Sequence, residues 1–101
     1  MNWKSANIEQ VKQIVERELT DCNPGQRILF ETYCVQPRLA LLERSGNREP
    51  VVVVAQRGNE VIYWEDVEEG FEVSPIDSDG LILNPGCNQN DLRFALDAWS
   101  K

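Results

Sequence analysis

The stretch "PVVVVAQRGNEVIYWEDVEEGFEVSPI", residues 50–76, holds three β-rich runs separated by turn chemistry. Val51 to Ala55 and Val61 to Trp64 are dense in β-branched and aromatic side chains, which pack well on a pleated surface. Between them Gly58-Asn59 fits a tight two-residue hairpin turn, whose central positions favour glycine and asparagine because they need positive φ. A link that short pairs its strands antiparallel. Residues 70–76, "GFEVSPI", alternate apolar and polar positions and accept Pro75, which marks an edge strand or a strand end. The continuous apolar runs Leu39 to Leu42 and Val51 to Ala55 predict central strands covered on both faces.

Toward the N-terminus, "RILFETYCV" (27–35) and "RLALLER" (38–44) read as further strands, with turns at Pro37 and at Gly46-Asn47. Ahead of them Ile8, Val11, Ile14, Val15, Glu18 and Leu19 recur at helical spacing. Glu9, Lys12, Glu16 and Arg17 fill the opposite side. The first element is therefore an amphipathic helix, capped by Ser5 or Asn7 and ended by "DCNPGQ", residues 21–26. Toward the C-terminus, Asp77-Ser78-Asp79-Gly80 predicts a turn with Gly80 at positive φ, and Leu81-Ile82-Leu83 a last short strand. "NPGCNQND", residues 84–91, then breaks the chain. Asn88, supported by Asp91, caps a final helix with the apolar stripe Leu92, Ala95, Leu96 and Trp99. This order predicts an α+β fold: an N-terminal helix, an antiparallel meander of five or six strands and a C-terminal helix, both helices packed on one face of the sheet. The 101 residues are expected to form a single domain, because either half is too short to bury a stable core.

Composition excludes several function classes. The longest apolar run, Val51 to Ala55, falls far short of the roughly 18 residues of a membrane-spanning helix, and the start "MNWKSANIEQ" lacks the apolar stretch of a secretory signal. A cytoplasmic protein is expected. The chain has no histidine, so triads and dyads that rely on one are ruled out. Cys22, Cys34 and Cys87 form no C-x-x-C pair, which suggests reduced thiols rather than a zinc site. Alternation with Ile28 and Phe30 places Cys34 in the core, whereas Cys22 and Cys87 fall in loops. "DSDG" opens like a calcium loop but lacks its continuation, and no glycine pattern for phosphate binding occurs. No catalytic residue, cofactor or metal ligand is assigned, and a non-enzymatic protein is expected.

The charge layout carries the functional expectation. Net charge is −7, and residues 58–92 contain nine acids and neither lysine nor arginine. Nucleic-acid backbones and anionic membranes need a basic footprint, so neither is an expected partner. A basic protein is. The candidate contact residues are Tyr63, Trp64, Glu65, Asp66, Glu68, Glu69 and Glu72. Tyr63 and Trp64 point to opposite faces of their strand, so one ring can stand beside the carboxylates as a cation–π seat. The expected function is a small acidic binding module of adaptor, inhibitor or immunity type. The bland reading of the same acids is a solvated surface. The alternative function is a small-molecule or divalent-metal-binding domain, or a weak enzyme, with a pocket near residues 84–90.

Overall fold

The computed structural model describes residues 8–44, 46–65, 69–82 and 90–100. Helix α1 (Ile8–Leu19) and helix α2 (Pro24–Tyr33) precede the strands β1 (Cys34–Arg44), β2 (Asn47–Arg57), β3 (Glu60–Glu65), β4 (Gly70–Pro75) and β5 (Leu81–Ile82). Helix α3 (Leu92–Ala98) follows. The class is α+β with a five-stranded, curled, mixed sheet in the order β4-β3-β2-β1-β5. β1 to β4 form the expected antiparallel meander with β4 at the edge, but β5 runs parallel to β1, matching Leu41 with Leu81 and Leu42 with Ile82. A connection that crosses from one sheet edge to the other reverses the direction a hairpin would impose. The bridge between Ile76 and Ile82 fastens that crossing.

The expected strand over residues 27–35 is a helix. Asn23, Pro24 and Gln26, which read as a chain break, are the start of α2: the Asn23 side chain accepts from the Gln26 backbone N–H, and the Gln26 side chain accepts from the Asn23 N–H, both at 2.8 Å. Proline in the first turn loses no helical bond there. The helix reaches Tyr33, so Cys34 is exposed at its C-cap instead of buried, while Cys22, expected in an open loop, is core. β1 then runs straight through Pro37, where its register with β2 shifts between Cys34 and Arg38. Leu39 and Leu41 were expected under cover on both faces, yet they are 58% and 43% exposed, because the helices do not extend over that part of β1.

Every residue of the run Val51 to Ala55 is buried, since each face of the sheet carries its own core. The first cluster joins Val52, Val54, Ile62, Trp64 and Phe71 to Val11 and Val15 of α1 and to Leu92, Ala95, Leu96 and Trp99. Leu29, Phe30 and Tyr33 of α2 pack against it. The second cluster, on the opposite face, holds Leu42, Val51, Val53, Val61, Tyr63, Ile76 and Ile82, all from strands and the crossing segment. Glu18 sits in the apolar stripe of α1 for a reason: its Oε1 accepts from the Leu92 backbone N–H at 2.7 Å. That bond caps α3, whose own N-cap, Asp91, makes no side-chain capping bond. Asn88 was the expected cap, but α3 starts at Leu92 with Asp91 as its N-cap. Asn88 itself, Leu83, Cys87 and the expected α1 caps Ser5 and Asn7 lie outside the described residues.

Candidate functional site

Strand alternation sorts the seven candidate residues into three environments. Val61, Tyr63 and Glu65 share one face of β3, and Tyr63 lies opposite Glu72 of β4. That face is the one covered by the second cluster. Tyr63 is 0% exposed, Glu65 1% and Glu72 4%, with buried Ser74 next along β4. Trp64 points to the helical face, where it meets Phe71 edge to face with ring centroids 5.1 Å apart. Both aromatic rings are therefore interior, and neither stands on the surface beside the acids as expected. The reason is the curl of the sheet, which leaves β3 no solvent-facing side. Glu69 alone of the described candidates is exposed, on a backbone of φ 55° at the β3–β4 turn. Asp66 and Glu68 lie outside the described residues, as does the pocket expected near residues 84–90.

Arg44 makes the interior acid possible. It shares its face of β1 with Leu42, and its Nη2 donates to Glu65 Oε2 at 2.6 Å across the intervening strand β2. Burial works against the charge of the guanidinium, but the hydrogen bond and charge of Glu65, helped by Glu49 and Tyr63, outweigh it and hold Arg44 above its ordinary range. Sequence reading missed this residue. The available signal was its position two residues after Leu42, which sets it on the buried side of the strand.

Among the described residues, Glu60, Asp77 and Asp91 make contacts of their own, apart from this pair. Glu60 and Glu65 terminate β3 at opposite ends, roughly 17 Å apart at about 3.4 Å per residue. At the Glu60 end, Glu60 Oε1 accepts from Trp99 Nε1 at 3.1 Å and lies 3.7 Å from Arg57. The Arg57 guanidinium in turn stacks over Trp99 and Tyr33 and donates to the Trp99 carbonyl at 2.7 Å. Asp77 is spent on its own turn, accepting from the N–H groups of Asp79 and Leu81. Asp91 is paired with Arg93 at 3.7 Å. At the Glu65 end, Arg48 is paired with Glu43, and Glu49 flanks the β1–β2 hairpin. Among the described residues no group of three or more metal-ligating side chains comes together, and no helix is long and apolar enough to cross a membrane.

These features define a small α+β protein whose curled sheet carries buried ionic groups on one face and helices on the other. Comparison with family models, with curated proteins and with solved structures finds no match for the chain.

Proposed function

We propose that the protein is a non-enzymatic acidic binding module whose contact surface is the end of the sheet formed by the β1–β2 hairpin and the β3–β4 turn, and whose partner is a basic protein. The observation that supports this reading is the allocation of charge at that end. Both nearby guanidinium groups, Arg44 and Arg48, are engaged by Glu65 and Glu43, while Glu69 projects from the turn and the chain carries Asp66 and Glu68 beside it. The acids that remain can steer and pair a cationic partner. Tyr63, Trp64, Glu65 and Glu72 serve from the interior by holding the strand ends that present this charge.

The test is affinity capture with the native protein and with the Glu49→Lys/Glu69→Lys variant. A basic protein is expected on the native bait, released on raising salt to about 0.3 M, where screening acts within a few ångströms. The variant should still unfold cooperatively, well above the temperature of the assay, and capture nothing. Equal capture by the variant would sink the proposal.

A further inference from the structure

A cavity of about 230 Å³ lies between α1, α2 and the start of β1, away from the acidic end of the sheet. Val15, Leu19, Phe30, Val54 and Pro37 give it apolar walls. Among the described residues it is bordered by two charged side chains, both from α1: Lys12, half-buried, and Glu16, exposed one turn further on. Among the described residues, no carboxylate lies within ion-pair distance of the Lys12 ammonium. A lysine that precedes a glutamate by four residues is also the weaker order for helical pairing. Among the described residues, the Lys12 side chain thus borders an apolar space with no carboxylate at ion-pair distance. This is the usual composition of a small-molecule site: apolar walls with one polar group that fixes orientation.

We propose that the cavity binds a small monocarboxylate with an unbranched aliphatic or aryl body. The body lies against Val15, Phe30 and Val54, and the carboxylate accepts from Lys12 Nζ. Glu16 repels an anion from its own side of the lip, so the head group is directed to Lys12. At about 230 Å³ the cavity has room for the body of a medium-chain carboxylate. Among the described lining residues only Lys12 offers a positive charge to the anion, and a cationic analogue gains nothing at that point.

Octanoate is the probe, with octylamine and octanol as charge controls. The full-length protein is used in a Cys87→Ser background, where exposed Cys34 on the cavity wall reports occupancy through its rate of modification by a thiol reagent. Octanoate is expected to bind in calorimetry and to slow labelling of Cys34. Lys12→Met should weaken it by about tenfold, the loss of one charge-assisted hydrogen bond, and Lys12→Arg should retain it. Octylamine should bind at least about tenfold more weakly than octanoate, by the same comparison of charge. No binding of octanoate, binding that leaves Cys34 labelling unchanged, equal affinity in Lys12→Met, or equal affinity for octylamine would each overturn the proposal. None of these results depends on the basic partner, whose binding is read with different variants.

Discussion

At the scale of single residues, the energetics centre on the pair of Arg44 and Glu65. A carboxylate that is 1% exposed has given up nearly all of its water, and the 2.6 Å bond to Arg44 offsets that cost. Arg44→Leu should destabilise the protein by about 2–3 kcal/mol in urea titrations. This is below the roughly 3–5 kcal/mol of a fully buried pair, because the guanidinium itself keeps some contact with solvent. The double variant Arg44→Leu/Glu65→Leu should recover most of the loss, since no uncompensated charge remains. The thiols give a second test. Burial, partly offset by Arg27, raises the ionisation of Cys22 above its ordinary value of 9.0. A raised native value means that the native state holds its proton longer than the unfolded chain. The contribution is therefore complete below pH 9 and falls away as pH rises from there through the native value. Native protein should lose melting temperature between pH 8 and 10 more steeply than Cys22→Ala. In the Cys87→Ser background, Cys34 should label rapidly and Cys22 only on unfolding.

At the scale of elements, the helix termini bind the N-terminal and C-terminal segments to one another. Arg27 of α2 donates through Nε and Nη2 to the carbonyls of Leu19 and Thr20 that end α1, and Glu18 of α1 caps α3. Gln26, buried at the start of α2, donates to Asp97 of α3 at 2.8 Å while its oxygen completes the box with Asn23. Asn23→Ala should cost about 1 kcal/mol in the same urea titrations, the usual value of a lost N-cap. Glu18→Ala should cost a similar amount although it lies 74 positions from the group it caps. The second effect identifies α1 and α3 as one cooperative unit. A urea transition that separates in two for Glu18→Ala would contradict it.

At the scale of the whole molecule, Trp99 closes the structure. Its ring is buried in the helical-face core, lies edge to face with Tyr33 at 5.7 Å, sits under Arg57 at 5.1 Å and donates to Glu60 of the β2–β3 hairpin. Trp99→Ala should cost about 3–5 kcal/mol, a large share of the roughly 5–15 kcal/mol that holds a domain together. Trp99→Phe should cost less, because it keeps the ring contacts and loses one hydrogen bond. Equilibrium unfolding of the three proteins orders them directly. The curl of the sheet has a consequence at this scale too. It buries residues on both faces of β3, and among the described acids it puts Glu65 and Glu72 inside while Glu69 stays exposed.

By itself the sequence determined what depends on local spacing. It gave α1, whose stripe has the helical period, and the hairpin turns at Gly46, Gly58 and Gly80, each at positive φ. It also gave the meander of β1 to β4 and the apolar face of α3. Residues 27–33 were legible too but misread: the apolar, aromatic run satisfies either period, and the local capping box of Asn23 with Gln26 tips it to helix. Only the tertiary structure placed β5 parallel to β1, turned Cys22 in and Cys34 out, and brought Arg44 to Glu65. Each of these depends on chain segments meeting across the sheet. Periodicity reports which side of its own element a residue occupies, and it carries no information about what arrives to cover that side.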